Sequence, residues 1–238
     1  MIKPKKVISE LKPYKTDKYK KDWFLKLDSN ESVYGISDCV AKAIQNFDIA
    51  DISLYPCYGE LIDKISQKYS YDTEGLLLTN GCDEALSIIM NTYIEIDDEL
   101  LLFNPAFSMP ALYAQIAGAK VKYANYKQKF VFDNSIIKNE INKNTKIVYI
   151  ASPNNPTGEL APIYEIEPLI GEFQNVLFII DCTYIKYSEN ADFREYITLS
   201  EKYENVFVVK SFSKDYALAG LRLGVVFSNK NNIIIFFT

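Results

Sequence analysis

From about residue 75 onward, the chain alternates short apolar runs with longer segments of helical periodicity. Seven of the runs predict β-strands, and most are apolar throughout, as expected for strands buried on both faces of a sheet. They are Leu76–Thr79, Leu100–Asn104, Val121–Ala124, Ile147–Ala151, Leu177–Asp181, Val206–Lys210 and Leu223–Ser228. Helices are predicted at Asp83–Ile94, Phe107–Ala117, Pro162–Phe173 and Asp192–Tyr203. This alternation predicts an α/β fold with a mostly parallel seven-stranded sheet flanked by helices.

Before residue 75 the pattern changes. The spacing of apolar residues predicts a short helix at Val7–Leu11, an amphipathic helix at Ser37–Phe47 and a further helix at Gly59–Tyr69. The segment Asp28–Gly35 is polar and rich in turn residues, and Asp51–Tyr58 is predicted to be a loop. Eight lysines within the first 21 residues indicate a solvated arm, because no nucleic-acid motif accompanies them.

Composition narrows the chemistry. The 238 residues are 48% hydrophobic and 24% charged with a net charge of -5, which indicates a folded protein and argues against a nucleic-acid partner. The absence of histidine excludes His-based catalysis and His metal ligands, and the four scattered cysteines predict no metal site. The terminal apolar run Ile233–Phe237 is too short to span a bilayer, and no signal peptide precedes the first polar stretch. We therefore expect a cytoplasmic protein without a membrane partner.

The turn after the predicted sixth strand carries the strongest chemical signal, because it presents Lys214 among small residues. In a partly dry pocket a lysine amine loses ammonium character and can form a Schiff base with an aldehyde. Ser211, Ser213 and Arg222 suit a phosphate on the same ligand, since two hydroxyls and a guanidinium fork can bind its oxygens. Only two of the 26 basic residues are arginines, which favours a geometric role for Arg222.

Two further strand ends carry polar residues. Asp181 closes an apolar strand and Tyr184 follows it; such a carboxylate suits a protonated ring nitrogen, although an acidic cap is the alternative interpretation. Asn155 lies in the polar turn Ser152–Gly158, which either binds a ligand or is only a structural turn.

A strand-to-helix turn adds a candidate anion site. Gly81 permits the turn, and the helix start at Cys82, Asp83 and Glu84 offers free backbone N–H groups to a phosphate. Phe107 follows another strand and could stack on a ring. Combined with the other strand ends, these residues converge on a phosphorylated pyridine aldehyde: Lys214 for the aldehyde and Asp181 for the ring nitrogen. Asn155 and Tyr184 would bind its phenolic oxygen.

The sequence resembles the fold-type-I aminotransferases that use pyridoxal 5′-phosphate, and most closely the histidinol-phosphate aminotransferase group. The matching stretches are Leu27–Gly35, Leu54–Pro56, Thr79–Leu86, Ser152–Gly158, Asp181–Tyr184 and Ser211–Gly224. The resemblance implies a homodimer with active sites at the interface, where Tyr55 reaches the phosphate in the partner subunit. It also implies a small amino donor, with a phosphorylated compound such as histidinol phosphate favoured. The resemblance further implies 2-oxoglutarate and glutamate as the partner keto acid and amino acid.

Departures from the family pattern are also visible. Cys182-Thr183 replace a common Glu-Ala, and Phe107 replaces a frequent Tyr. The resemblance divides the chain into residues 1–48, an N-terminal arm with part of a small domain, and residues 49–238, the large cofactor-binding domain. Family members continue into a small domain that supplies a substrate-binding arginine. Because Asn231–Thr238 shows no helix cap and no amphipathic face, we expect a truncated and poorly active form.

Two alternatives remain open at this point. A decarboxylase of a phosphorylated amino acid would need the same cofactor-binding residues and would break a different bond at Cα. A non-catalytic remnant would keep the fold without the chemistry. A nicotinamide oxidoreductase is disfavoured because the chain lacks the glycine fingerprint of dinucleotide sites.

Overall fold

The computed structural model describes residues 2–3, 5–11, 28–127 and 129–237. Most of the predicted lysine-rich arm, and Leu27 of the first matching stretch, lie outside the described residues. The predicted boundary between two domains at residue 48 stays a prediction.

All seven predicted strands are confirmed, with ends that differ by at most two residues from those expected. They are β1 (Leu76–Asn80), β2 (Glu99–Asn104), β3 (Lys120–Asn125), β4 (Thr145–Ala151), β5 (Leu177–Asp181), β6 (Val206–Ser211) and β7 (Leu223–Phe227). They form a single sheet in the order β1-β7-β6-β5-β4-β2-β3. The predicted seven-stranded sheet is therefore confirmed.

Strand β7 runs antiparallel to both of its neighbours, β1 and β6. The other four neighbouring pairs, β6–β5, β5–β4, β4–β2 and β2–β3, are parallel. The physical reason is the short connection between β6 and β7, which contains only the 3₁₀ turn Ala219–Leu221. A parallel return needs a crossover of about a dozen residues or more, whereas an antiparallel neighbour can follow a shorter loop. The same loop carries Lys214, which therefore lies near the carboxyl end of β6.

The described residues contain nine α-helices, most of which pack against one of the two faces of the sheet, while α2 buries no residue. They are α1 (Lys6–Glu10), α2 (Asp38–Gln45), α3 (Gly59–Tyr69), α4 (Gly81–Tyr93), α5 (Met109–Ala117), α6 (Asn134–Glu140), α7 (Ile163–Glu172), α8 (Phe193–Lys202) and α9 (Lys230–Ile235). Helix α6 was not predicted from the sequence. Its start is fixed by Asp133, whose carboxylate accepts a hydrogen bond from the Ser135 N–H, and only Ile136 and Ile137 are buried in it.

Alternating strand residues build two apolar layers. On β5, Phe178 and Ile180 face the layer that contains α7 and α8, while Leu177 and Ile179 face the layer that contains α4. Strand β6 alternates in the same way. This two-residue period follows from β geometry and decides which side of the sheet each polar residue at a strand end faces.

The expectation that the final residues lack a helix cap and an amphipathic face is wrong. Asn229 caps α9 by accepting a hydrogen bond from the Asn232 N–H, and Ile233 is buried while Ile234 is exposed. A helix this short presents only one position to the core, so a pattern judged over the whole isoleucine run conceals its single buried residue.

Among the described residues, no helix has the length and apolar character needed to cross a bilayer. The predicted cytoplasmic location stays a prediction.

Candidate functional site

A cleft of about 710 Å³ opens at the carboxyl ends of β4, β5 and β6. Open α/β sheets bind ligands at this edge. Ten of the twelve predicted site residues line the cleft. They are Cys82, Asp83, Phe107, Asn155, Asp181, Tyr184, Ser211, Ser213, Lys214 and Arg222.

The remaining two predicted residues lie elsewhere. Glu84 was expected at the phosphate, but its Oε2 accepts a hydrogen bond from the Asn80 N–H at 2.6 Å and caps the first turn of α4. The side chain of Glu84 therefore does not reach the cleft. Tyr55 is fully exposed and also lies outside the cleft lining. Its predicted role in the site of a partner subunit stays a prediction.

Asp181 ends β5 as a buried carboxylate. Its Oδ2 accepts a hydrogen bond from the Tyr149 hydroxyl at 2.8 Å, and its Oδ1 accepts one from the Thr183 N–H at 2.9 Å. Burial raises the pKa of Asp181 because the ionised form loses hydration, while the hydrogen bonds from Thr183 and Tyr149 act in the opposite direction. A cation in the cleft would offset this loss of hydration and favour the ionised carboxylate.

Tyr149 is a functional candidate that sequence reasoning missed. It is buried within β4, and burial together with the nearby Asp181 carboxylate raises the pKa of its phenol well above the usual value. The phenol therefore stays a hydrogen-bond donor to Asp181. A signal did exist, because a buried tyrosine in an otherwise aliphatic strand needs a partner for its hydroxyl.

Lys214 is partly buried at the floor of the cleft. Its Nζ donates a hydrogen bond to the Ser29 carbonyl oxygen at 2.6 Å and lies 6.0 Å from the centre of the Tyr184 ring. Burial lowers the pKa of Lys214 below its usual value and Arg222 adds to this effect, whereas Glu31 acts in the opposite direction. A larger neutral fraction makes the amine a better nucleophile toward an aldehyde.

Tyr184 is held by a residue far away in sequence. The Asn30 side-chain amide donates a hydrogen bond to the Tyr184 hydroxyl at 3.0 Å. Asn30 lies in a turn in which Ser29 and Asn30 both adopt positive φ angles, of 60° and 48°. Sequence reasoning marked this segment as polar and turn-rich but assigned Asn30 no role.

Arg222 lies in the cleft lining beside a hydroxyl group and a carboxylate. Arg222 Nη1 lies 3.5 Å from Ser213 Oγ, and Arg222 Nη2 lies 3.4 Å from Asp83 Oδ2. Gly81 has a φ of +76°, and a Cβ there would fall 2.5 Å from Arg222 Nη2. Glycine at this position therefore lets the guanidinium lie directly against the first turn of α4. Ser211 supplies a second hydroxyl from the end of β6.

The first turn of α4 contributes backbone donors to the same cleft. The initial N–H groups of a helix have no partner within the helix, and its dipole favours negative charge. Cys82 and Asp83 both lie in this turn and line the cleft. With the guanidinium and two hydroxyls in the same cleft lining, this helix start is a candidate site for a phosphate group.

Two loops complete the cleft walls and are tied to each other. The Asn154 side-chain amide donates hydrogen bonds to the Pro105 carbonyl oxygen and to Thr157 Oγ1, both at 3.0 Å. This contact joins the loop that carries Phe107 to the turn that carries Asn155. Both side chains are partly buried at the cleft, so a ring and an amide face the same space.

The arrangement fits a phosphorylated pyridine aldehyde. The cleft lining combines a guanidinium and two hydroxyls, which suit a phosphate, with a buried carboxylate and an amine whose pKa is lowered. A second pocket of about 500 Å³ adjoins the cleft and shares Asn30, Asn155 and Tyr184 with it. The cleft can therefore hold a cofactor while a second molecule approaches from the adjoining pocket.

Comparisons with known proteins agree with this chemistry. The family described as aminotransferase class I and II matches residues 23–235. A histidinol-phosphate aminotransferase of Pelagibacter ubique is 37% identical over 220 residues, which cover 91% of this chain and 61% of that protein. The chain spans about three-fifths of the length of the curated relatives it matches.

Solved structures share the fold. Histidinol-phosphate aminotransferase from Sinorhizobium meliloti, solved in complex with pyridoxal-5′-phosphate, has a TM-score of 0.81 at 21% identity, covering 88% of this chain and 57% of that one. L-threonine-O-3-phosphate decarboxylase from Porphyromonas gingivalis has a TM-score of 0.71 at 23% identity, covering 84% and 62%. At these identities the two structures establish the architecture alone.

Proposed function

Because the chain belongs to the class I and II aminotransferase family, we propose that it binds pyridoxal 5′-phosphate and transfers an amino group from a small amino compound to a keto acid. One observation carries the proposal. The Lys214 amine and the buried Asp181 carboxylate line the same cleft, and Arg222, Ser211 and Ser213 line it with them.

Each residue has a defined task toward the cofactor. Arg222, the two serine hydroxyls and the first turn of α4 would bind the phosphate. Asp181 would hold the ring nitrogen in its protonated form, with Tyr149 and Thr183 fixing the carboxylate. Tyr184 and Asn155 would bind the phenolic oxygen, and Phe107 would cover the ring.

When bound, the cofactor supplies an aldehyde that condenses with amines and a protonated ring that accepts the electron pair of a bond broken at Cα. Lys214 Nζ would hold the aldehyde carbon until a substrate amine replaces it. The Lys214 amine would also be the base that takes the proton from the substrate Cα. Its lowered pKa favours the neutral amine that this task requires.

The name of the Pelagibacter ubique relative suggests histidinol phosphate as the amino compound. We propose 2-oxoglutarate as the amino acceptor, which would become glutamate. A decarboxylase on the same fold would use the same cofactor site. The two activities separate in one assay, since an aminotransferase converts 2-oxoglutarate to glutamate while a decarboxylase releases CO2.

We further propose that the active unit is a homodimer. Helix α2 and the 3₁₀ turn Ile49–Ser53 have no buried residues, and the segment around them exposes Ile52, Leu54 and Tyr55. A second copy of the chain would cover these apolar side chains and bring the partner's Tyr55 toward the cleft. Sedimentation of the purified protein tests this proposal, and a strictly monomeric protein at micromolar concentration would contradict it.

Covalent trapping of pyridoxal 5′-phosphate on a lysine is the experiment that tests the proposed cofactor binding. The protein is incubated with pyridoxal 5′-phosphate, reduced with borohydride, digested and mapped by mass spectrometry. We expect the label on Lys214, its loss in Lys214→Ala and its retention in Lys186→Ala, which removes an exposed lysine. A label on another lysine, or none on a folded protein, would overturn the proposal.

A further inference from the structure

A buried ion pair lies beneath the turn that carries Lys214. Lys210 Nζ contacts Asp215 Oδ2 at 2.8 Å, and both side chains are at least nine-tenths buried, with exposed fractions of 0% and 8%. Other ion pairs of the described residues, such as Lys202 with Glu167, lie near the surface with far greater exposure. The Lys210–Asp215 pair therefore differs from a solvated surface contact.

The pair is enclosed by aromatic rings. Lys210 Nζ lies 5.4 Å from the centre of the Phe193 ring and 5.9 Å from that of Tyr216. The second carboxylate oxygen of Asp215, Oδ1, is buried and accepts no hydrogen bond. Two charges in such surroundings lose much of their hydration, and a buried pair of this kind contributes little net stability compared with an apolar pair. Stability alone therefore gives no physical reason for the pair.

Its location suggests a different purpose. Lys210 follows Val208 at the two-residue period of β6 and so faces the layer of α8, on the opposite side of the sheet from Asp181 and the cleft. Asp215 immediately follows Lys214. The pair therefore joins Lys210, which lies in β6 directly before Ser211, to Asp215, which directly follows Lys214. Neither side chain lines the cleft.

Backbone hydrogen bonds close the same loop. The Phe212 N–H donates to the Leu223 carbonyl at 3.0 Å, the Leu218 N–H donates to the Phe212 carbonyl at 3.2 Å, and the Ser213 N–H donates to Ser211 Oγ at 3.1 Å. Within the stretch 213–215, the Lys214 carbonyl accepts a hydrogen bond from the Ala217 N–H at 3.1 Å. The Asp215 carboxylate joins the end of this stretch to β6 through Lys210.

We propose that Lys210 and Asp215 are positioning residues: their buried ion pair fixes the turn 211–215 from the far side of the sheet and so sets where the Lys214 amine and the Ser213 hydroxyl point. The inference rests on the proposed cofactor function for its consequence, but its structural part can be tested without cofactor. Neither residue touches the reacting atoms.

The test removes the pair as a unit. Because Lys210→Met alone would leave a buried unpaired carboxylate and could unfold the protein, the main variant is Lys210→Met combined with Asp215→Leu, which replaces both charges with apolar side chains. Lys202→Met is the matched control, since it breaks an exposed ion pair outside the cleft. Thermal unfolding of each variant confirms that it is folded.

The first readout is amide hydrogen exchange of the cofactor-free protein. We expect exchange at Phe212 and Leu218 to rise about tenfold or more in the double variant, while exchange at Cys182, hydrogen-bonded to the Val209 carbonyl, changes little. The second readout is the yield of borohydride-trapped cofactor on Lys214 below saturation, which we expect to fall about tenfold, as loss of geometry at a covalent site predicts. Lys202→Met should leave both readouts unchanged.

Unchanged exchange at residues 212–218 and unchanged trapping in a folded double variant would overturn the inference. Uniformly faster exchange throughout the sheet would also overturn it, because the pair would then be structural only. If the wild-type protein traps no cofactor on Lys214, the proposed function fails, and the exchange comparison still decides the role of the pair.

Discussion

The sheet edge and the N-terminal segment contribute to one cleft in different ways. Asp181 and Ser211 are buried at the ends of paired strands, Tyr149 is buried within β4, and their positions follow from the core. Residues 28–58 supply Ser29 and Asn30 to the same cleft, yet α2 and the turn Ile49–Ser53 within this segment bury nothing. The strand residues that would hold the cofactor are thus fixed by the core. Ser29 and Asn30 are instead held at the cleft by a few polar contacts.

This difference follows from the physics of each region. A buried carboxylate such as Asp181 is costly to place and must be fixed by strands and hydrogen bonds. An exposed amide such as Asn30 is already hydrated and gains little from being fixed. Substitutions on the sheet side should therefore have large effects on folding and cofactor binding, and substitutions in the N-terminal segment small ones.

The largest contrast is expected between two phenylalanines. Phe178 is fully buried on β5, whereas Phe47 is about half exposed. Phe178→Ala should lower the free energy of unfolding by about 3–5 kcal/mol because it leaves a cavity in the core. Phe47→Ala should change it by about 0.5 kcal/mol or less. Urea unfolding followed by circular dichroism measures both, and similar losses in the two variants would show that the N-terminal segment is packed as firmly as the sheet.

A smaller effect is expected for Asp181→Asn on cofactor binding. The amide keeps the shape of the side chain but loses the charge that would pair with a protonated ring nitrogen. A charge-assisted hydrogen bond is worth about 1.5–3 kcal/mol, so affinity for pyridoxal 5′-phosphate should fall about 10- to 100-fold. Titration by absorbance measures the affinity. Asp192→Asn, which alters an exposed helix cap of α8, is the matched control and should bind normally.

The raised pKa of Asp181 predicts that the stability of the cofactor-free protein depends on pH, and the same variant tests this. Burial raises the pKa of Asp181, so above the ordinary aspartate pKa the folded protein holds a proton that the unfolded chain has lost. The contribution of this group to stability therefore falls as pH rises from the ordinary value to the raised value. The melting temperature of Asp181→Asn relative to wild type should increase over that interval. Parallel pH profiles of the two proteins would contradict the raised pKa.

The strands of the sheet were predictable because each is buried on both faces and so reads as a continuous apolar run. Helix Gly59–Tyr69 was predicted with its observed ends, since its apolar residues recur at helical spacing. Helix Asn134–Glu140 was not, because it lies in an Asn- and Lys-rich stretch and buries only two isoleucines. Hydrophobic periodicity reflects burial, so helices and strands that bury few residues show only a weak periodic pattern in the sequence.

The site was predictable to the extent that its residues follow strand ends. Lys214, Asp181 and Arg222 stand out because polar groups there interrupt apolar runs. Tyr149 required the register of β4 on β5, and Asn30 contacts a residue 154 positions away, so no local pattern could reveal either role. Lys210 did carry a signal, since a lysine at the end of a buried strand needs an anion nearby.

The smallest effect concerns the hydrogen bond from Asn30 to Tyr184, one of the contacts through which the N-terminal segment reaches the cleft. Asn30→Ala should weaken cofactor binding by about 0.5–1.5 kcal/mol, the net value of a neutral hydrogen bond. Tyr184→Phe should weaken it more, because it also removes the proposed hydrogen bond to the phenolic oxygen of the cofactor. Because both changes remove the same contact, the double variant should lose less than the sum of the two. Ser32→Ala, in the same segment, is the control and should have no effect, since among the described residues its hydroxyl accepts a hydrogen bond from the Tyr34 N–H and does not line the cleft. Strictly additive losses would mean that Asn30 and Tyr184 act separately, and the N-terminal segment would then influence the cofactor through Lys214 and Ser29 alone.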